Sequence, residues 1–573
     1  MRSRQPNVVM VTLDALRADR TSSSGYPRDT TPNIDRLLRN AYHPQACYAL
    51  SPCTFGSFPS MMTSTRPLSY GGFDNGIDNR PPSITDSLGS RGYRTAHITT
   101  VHWANSFFGY DAEREDLLVD PATLTFSIGL IISRHISTWA EHSGDPAELF
   151  DRVNPLIRMF FENMLRYCDE NSRNTQIFKN ANNLFDNRHF SWPAAGRAVA
   201  ALEASWKADP SAFINGVLAN VQGGRSWLHE LNWRRYRTLP DKVEAALGDK
   251  AFGLIGKASP KAAEWWTHRW KKYPDAETIV DRILQASEAA KDDARPFFIW
   301  GHMFDSHLPY AAGAGRGWAA DASRWLAKAG HDPMSDPYAG FRSKPQTPEE
   351  WAAWNAIYDA AICFMDHHIG RLKRELEARG LGDTIIVLTN DHGEEMGEHG
   401  DVAHKFRLYE HNVRTHTVVH HPDLAETGVG GLCTLMDIAP TIAGLTSGEA
   451  PAGWEGRSFQ SLAADPRREV VMETFFGSPC DVLNRPIYFA ARSGDLKLIW
   501  SERIDSHDPL SKPGAQLFDL AADPSEQVNL ATQRPDDVAR LMRPIIERLT
   551  ELKTAAAASP NTAAEAPQLL AAE

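Results

Sequence analysis

An α/β fold built on a large, mostly parallel sheet flanked by helices is predicted by three observations. Three short apolar runs, Val8 to Leu13, Phe297 to Trp300 and Ile385 to Thr389, show no polar alternation, the pattern of strands buried on both faces. Helix-prone sequence such as Glu349 to Arg379 lies between them. Each run then delivers Asp or His at or just beyond its end: Asp14, His302, and Asp391 with His392. In such sheets ligands bind at the carboxyl ends of the strands.

The first strand follows directly on the N-terminus. MRSRQPNVVMVTLD passes from a short polar and basic start into β-branched residues, without an apolar core or a small-residue cleavage site, so it reads as a strand and not as a signal peptide. From Asp111 to Arg295 the character changes to helix-prone sequence holding eight of the sixteen tryptophans. This segment reads as a helical insertion covering the site, its tryptophans as packing, and its cluster Arg234, Arg235 and Arg237 as a solvated helix face. After Leu445 a smaller α+β unit (446–553) begins, with strands near Glu469 to Glu473 and Lys497 to Trp500 and a closing helix from Asp536 to Lys553. The Ala/Pro-rich tail, 554–573, reads as disordered.

The 573 residues exceed a single small core, since about 150 residues per domain is usual. With 42% hydrophobic and 23% charged residues the composition is globular and excludes disorder, collagen and coiled coil. A net charge of −12 argues against a nucleic-acid partner, while leaving room for a local anion site. Six cysteines without a CxxC pair argue against a disulfide scaffold or zinc knuckle. The longest apolar stretch, Leu124 to Ile132, is interrupted by Thr125, Ser127 and Gly129 and is too short to span a bilayer. The expectation is a cytoplasmic protein with no membrane span; a homo-oligomer is left open.

Asp14 and the Asp391–His392 pair stand at the ends of two strands almost four hundred residues apart in sequence. Carboxylates and an imidazole converging there suit a divalent cation. Asp after a strand is equally a common helix N-cap, so spacing alone leaves both readings open.

The surrounding segments resemble the sulfatase branch of the alkaline phosphatase superfamily, over most of the chain outside the insertion. VTLDALRADRTSSSGYPRDTTPNIDRL (Val11 to Leu37) is similar to that family's opening strand and metal-ligand loop, and SPCTFGSFPSMMTS (Ser51 to Ser64) to its nucleophile segment. GYRTAHITTVHW (Gly92 to Trp103) resembles the next strand and loop, and FDSHLPY (Phe304 to Tyr310) the central-histidine motif. TNDHGEEMGEHG (Thr389 to Gly400) and HKFRLYEHNVR (His404 to Arg414) resemble the second metal-ligand and anion-binding segments. MDIAPTIAGL (Met436 to Leu445) and LFDLAADPSEQVNLA (Leu517 to Ala531) match late signatures. The resemblance implies the sulfatase fold for 1–445 with the insertion inside it, and a hydrolase of ester bonds.

The nucleophile segment departs from the family's C/S-x-P-x-R motif, whose Cys or Ser becomes formylglycine. Thr54 falls at the nucleophile position, Gly56 where Pro is expected, Ser57 at the shared Ser and Phe58 where Arg is expected. Sliding by one to use Cys53 puts Phe55 and Ser57 at the Pro and Arg positions, so formylglycine is not expected. A threonine there is similar to the phosphoryl-transferring members, whose hydroxyl attacks phosphorus and forms an intermediate that water or another alcohol resolves.

On that resemblance Asp14, Thr54, Asp391 and His392 hold one divalent ion. Ala15 stands where many sulfatases have a second Asp, and His392 where calcium-type sulfatases have Asn. Manganese or zinc is therefore favoured over calcium, which stays compatible. A two-metal site would draw on His302, Asp305 and His307. Lys405 falls on the anion-binding lysine, with His404 beside it as an alternative, and His307 on the leaving-group general acid. His102 aligns with the histidine of a GKWH-like segment whose lysine place is taken by Thr100. His399 and Asn75 read either as site contacts or as loop residues making local hydrogen bonds. Asp366-His367-His368 looks metal-like but lies in a helix whose family counterpart is structural.

The leading expectation is a hydrolase of phosphate or phosphonate esters, or a phosphotransferase, acting on a small anionic ester through a covalent Thr54 intermediate. The alternatives are a sulfuric ester hydrolase without formylglycine, and an inactive sulfatase-fold binding protein, suggested by the departures at Ala15, Gly56, Phe58 and Thr100.

Overall fold

The computed structural model describes residues 5–72, 76, 77, 79–101, 103–118, 132, 145–173, 191–222, 274–289, 293–308, 310, 347–467, 469–475, 487–502 and 513–558. Among the described residues up to Leu445, eleven strands form: β1 (Val8–Leu13), β2 (Ala41–Tyr48), β3 (Arg94–Thr99), β4 (Arg114–Leu117), β5 (Phe297–Met303), β6 (Ile385–Thr389), β7 (Glu395–Met396), β8 (Val402–Ala403), β9 (Arg414–Thr415), β10 (Val418–His420) and β11 (Thr427–Thr434). The main sheet has the order β11-β2-β10-β6-β1-β5-β3-β4, with β9 beside β2. Its pairings are parallel except at β10 and β9, which run antiparallel to their neighbours. β7 and β8 form a small hairpin of their own.

The absence of alternation in β1 has the predicted cause. Val8 and Met10 enter a core with Phe58, Trp300 and Val387, whereas Val9, Val11 and Leu13 enter the core of the opposite face with Ile279, Ile357 and Leu372. Burying both faces contributes about 1.5–3 kcal/mol for each large aliphatic side chain. The long helix Pro348–Ala378 and the helix Ala276–Ala289 cover the second face. Gly301 admits the latter, since a Cβ there would lie 2.6 Å from Ile283 Cδ1.

Three differences from the sequence reading have physical reasons. β5 extends through His302 to Met303, because the polar His302 finds buried partners and needs no solvent. The segment from Asp111 contains an edge strand, β4, paired parallel to β3 before the helices begin, and its charged side chains suit an edge. The closing helix, Pro535–Ala558, runs past Thr554 into the alanine run, alanine being the best helix former. The helices Pro146–Arg173, Trp192–Ala208 and Pro210–Gln222 place Phe160, Phe161, Trp206 and Val217 in the same core as β1. Arg234, Arg235, Arg237, Asn75, His102 and the tail after Ala558 lie outside the described residues.

The C-terminal part forms a separate antiparallel sheet of β12 (Glu469–Phe475), β13 (Ile487–Ser493), β14 (Leu496–Ser501) and β15 (Gly514–Asp519). One face packs Met472, Tyr488 and Phe518 against Tyr48, Leu408 and Tyr409. The other packs Phe489 and Leu498 against Leu541 and Ile545 of the closing helix. No helix among the described residues is long and apolar enough to cross a membrane.

Candidate active site

Strand register assembles the site. Thr12 of β1 pairs with His302 of β5 on one side and Thr389 of β6 on the other. Two residues further on, Asp14 and Asp391 therefore leave the same sheet edge. Asp14 N donates to Met303 O (2.9 Å), and Ser306 Oγ donates to Asp14 O (2.6 Å). Ala15 adopts φ 57°, a strained value for alanine. Tyr358 Oη donates to Ala15 O (2.7 Å) and so pins that turn.

Asp14, Asp391 and His392 are fully buried, and one donor atom from each lies within 4.8 Å of the other two. His392 Nε2 lies 3.4 Å from Asp14 Oδ1, 3.6 Å from Asp391 Oδ2 and 3.2 Å from Thr54 Oγ1. His392 Nδ1 donates to Gly393 O (2.8 Å), so Nε2 presents its lone pair to the cluster. Neither Asp14 Oδ1 nor Asp391 Oδ2 accepts a hydrogen bond. Burial, and then the charge of Asp391, push the Asp14 carboxyl well above the usual carboxylate range. Two buried carboxylates with orphaned oxygens, a lone-pair imidazole and a hydroxyl are a donor set that fits a divalent cation.

Thr54 opens the helix Thr54–Thr63, where unpaired backbone N–H groups favour developing negative charge. The departures from the C/S-x-P-x-R motif have structural reasons. A Cβ at Gly56 would lie 2.2 Å from Ser51 Oγ and 2.6 Å from Ser51 Cβ, so a larger residue there, proline included, would have to displace Ser51. Phe58 is buried and sets its ring edge-on to Trp300 (5.0 Å) and His302 (5.1 Å), so aromatic packing fills the place of the motif's arginine. Ser57 Oγ donates to Ser51 O (2.8 Å).

His404 packs its ring 4.1 Å from that of His392, and His307 follows 4.8 Å from His404. His307 in turn stacks on Phe304 at 4.2 Å. Burial pushes His404 down to about 4 and, with the neighbouring His404 and His392, holds His307 well below the usual histidine range. Lys405 is ion-paired with Asp401. Among the described residues His302, Asp305 and His307 do not gather into a second metal cluster; His302 lies against Asp14 instead. Asp366 accepts from Asn33 N (3.0 Å) and Ile34 N (2.8 Å), capping the helix Pro32–Leu37, as its structural reading required.

Three supporting residues were missed in the sequence. Burial pushes Glu394 up to about 8, and its Oε1 lies 3.3 Å from His404 Nδ1. Arg17 reaches from the loop after β1 to Glu394 O (3.3 Å) and Glu398 Oε1 (2.5 Å) beyond β6. His302 was weighed only as a ligand. The tandem acidic residues directly after His392 were the available signal for Glu394; Arg17 and His302 carried none beyond proximity to a motif.

A model of the sulfatase family matches residues 6–448. The chain belongs to the sulfatase family. It is 28% identical over 183 residues to an N-acetylglucosamine-6-O-sulfatase of Bacteroides thetaiotaomicron, covering 30% of this chain and 31% of that protein. It is 26% identical over 302 residues to a choline-sulfatase of Rhizobium meliloti, covering 47% and 56%. The matched stretches thus span less than two thirds of these relatives. Among solved structures, a phosphonate monoester hydrolase of Agrobacterium radiobacter matches with a TM-score of 0.55 at 15% identity, over 96% of each chain. A protein solved in complex with its substrate D-glucosamine-2-N,6-O-disulfate matches with a TM-score of 0.54 at 16% identity, over 98% of this chain and 100% of that one. At these identities the structures establish the fold of this sulfatase-family chain and nothing finer.

Proposed function

We propose that this sulfatase-family chain hydrolyses the ester bond of a small anionic substrate, a phosphate or phosphonate ester, through a covalent bond to Thr54 Oγ1. The observation that carries this reading is the place of Thr54: its hydroxyl lies 3.2 Å from His392 Nε2, beside two orphaned carboxylate oxygens, in a segment where a Cβ at the motif's proline position would collide with Ser51. Asp14, Asp391, His392 and Thr54 would hold one divalent ion, manganese or zinc by the mixed imidazole and carboxylate donors. Such an ion supplies Lewis acidity, lowering the pKa of a hydroxyl and offsetting charge on the transferred group.

The remaining roles fall to the chain's own residues. Thr54 Oγ1 loses its proton to water and bonds to phosphorus as the bond to the leaving oxygen breaks. His307, on the flank of the cluster, protonates that oxygen. His404, held by Glu394, and Lys405, next to it in sequence, orient the anion. His102, outside the described residues, is assigned to the same anion contacts on family resemblance. Water then attacks phosphorus, Thr54 Oγ1 regains a proton, and the site is restored; an alcohol in place of water gives phosphotransfer.

A second reading, sulfuric ester hydrolysis without formylglycine, is favoured by the names of the sequence relatives. Turnover of matched aryl phosphate, aryl phosphonate and aryl sulfate esters decides between them, together with Thr54→Ala. The first reading expects phosphorus esters to lead, and the Thr54→Ala variant to lose turnover by about 10³-fold or more while still binding substrate. Preference for sulfate overturns the order, and normal turnover by Thr54→Ala sinks the mechanism.

A further inference from the structure

A second group of potential metal ligands lies away from the active site. His399, His411 and Glu526 each offer one donor atom within 4.8 Å of the other two. They come from three segments: His399 from the loop after β7, His411 from the short helix Glu410–Val413, and Glu526 from the loop between β15 and the closing helix. The cluster therefore spans the seam between the main sheet's site loops and the C-terminal unit.

Several features are built around it. Glu526 is 1% exposed and holds φ 56°, a backbone conformation that non-glycine residues seldom keep without a reason. Its Oε2 accepts Glu410 N (2.6 Å), and Oε1 is ion-paired with Lys497 Nζ (2.9 Å). His411 is buried, and its Nε2 has no hydrogen-bond partner. His399 is oriented by a face-to-face stack on Tyr409, 3.6 Å between ring centres and 4° from parallel, and by its own N–H, which donates to Glu395 Oε1 (3.1 Å).

The charges nearby do not repel a cation. Arg17 pairs with Asp19 and Glu398, and Lys497 and Arg492 pair with Glu410 and Glu526, so each of these cations already faces a carboxylate. A carboxylate oxygen facing a lysine keeps a second lone pair. Two imidazoles and one carboxylate form a common zinc ligand set, with donors about 2.0–2.1 Å from the ion. Tetrahedral geometry then places donors about 3.3 Å apart, so the side chains need to close by up to about 1.5 Å.

We propose that His399, His411 and Glu526 form a structural zinc site, separate from the Asp14, Asp391 and His392 cluster, that fastens the C-terminal unit to the loop carrying Asp391 and His392. Gln527, next in sequence to Glu526, already donates across the same seam to Glu398 O (3.2 Å).

The test counts zinc on the full chain after chelation and reloading, by elemental mass spectrometry. Wild type is expected to hold two zinc ions per chain, and His411→Asn and Glu526→Gln one each. In a chain carrying Asp14→Asn and Asp391→Asn, one zinc should remain and raise the melting temperature by several degrees; adding Glu526→Gln should remove both the ion and the shift. Equal zinc in wild type, His411→Asn and Glu526→Gln overturns the proposal. Loss of all zinc from the Asp14→Asn, Asp391→Asn chain overturns it too. A wild type holding one zinc that disappears with His411→Asn supports this site while removing the proposed active-site ion, so the two readings fail separately.

Discussion

His302 sets its Nε2 3.1 Å from Oδ2 of Asp14, with both side chains fully buried. The other ring nitrogen, Nδ1, lies 2.7 Å from Thr12 Oγ1, which also accepts the indole N–H of Trp300 (3.1 Å). Burial holds His302 at about 4, so the ring is neutral. A neutral ring facing a carboxylate places its proton on Nε2, and Nδ1 then accepts the Thr12 hydroxyl proton. Asp14 is thereby held with its second oxygen, Oδ1, left for an ion. His302→Asn should weaken metal affinity by about 10–100-fold, and turnover should largely return at saturating metal. Titration of activity with metal measures this; a loss of kcat that metal does not restore would place His302 in the chemistry itself.

Asp391 creates the complementary problem. Its charge and burial together hold the Asp14 carboxyl above its usual range, so without a cation the two carboxylates oppose each other. Asp391→Asn keeps an oxygen for the N–H groups of Ala15 and His392. It should abolish turnover and active-site metal yet stabilise the metal-free protein by on the order of 1 kcal/mol, the scale of one pKa unit. Chelated wild type and variant compared by thermal unfolding check the sign. Equal or lower stability of the variant would show that the repulsion is already relieved.

Much of this was legible in the sequence, and the reasons are particular. β1 and β6 could be placed because six and five consecutive residues, buried on both faces, leave no helical period to confuse them. Asp14, Asp391 and His392 could be paired because the family motifs flank them. β4 was hidden because REDL has the charge of a loop and takes its strand state from pairing with β3. Glu394 and Arg17 were hidden because their roles depend on which loop faces which. Likewise Glu526 sits inside a recognised late signature, but only the fold brings it to His399 and His411.

Gly56 tests the reading of the nucleophile turn. A Cβ added there would meet Ser51 Oγ at 2.2 Å and Ser51 Cβ at 2.6 Å, and Ser51 is held by Thr474 Oγ1 (3.2 Å). Gly56→Ala should therefore cost about 1–3 kcal/mol and lower kcat by displacing Thr54. Denaturant unfolding and steady-state kinetics measure the two effects. A variant as stable and active as wild type would mean the turn yields freely and the exclusion of proline is not steric.

His307 gives the sharpest test of the chemistry, because its resting form is the wrong one for an acid. Its Nδ1 donates to Leu308 O (2.6 Å), so in the neutral ring Nε2 carries no proton. Burial, then His404 and His392, hold its pKa well below 6.5, and the free enzyme at neutral pH contains little imidazolium. Since kcat/KM reports the ionisations of the free enzyme, it should fall with rising pH through the neutral range for substrates that need a protonated leaving oxygen. A bound anion stabilises the imidazolium, so the corresponding limb in kcat should lie at higher pH. Alkyl esters should show both limbs, and nitrophenyl esters, whose leaving group needs no proton, should show neither. His307→Asn should cost alkyl esters about 10²–10⁴-fold and nitrophenyl esters far less. A kcat/KM that rises with pH for alkyl esters, or an equal loss for both substrate types, would assign His307 to holding the substrate and leave the proton to another donor.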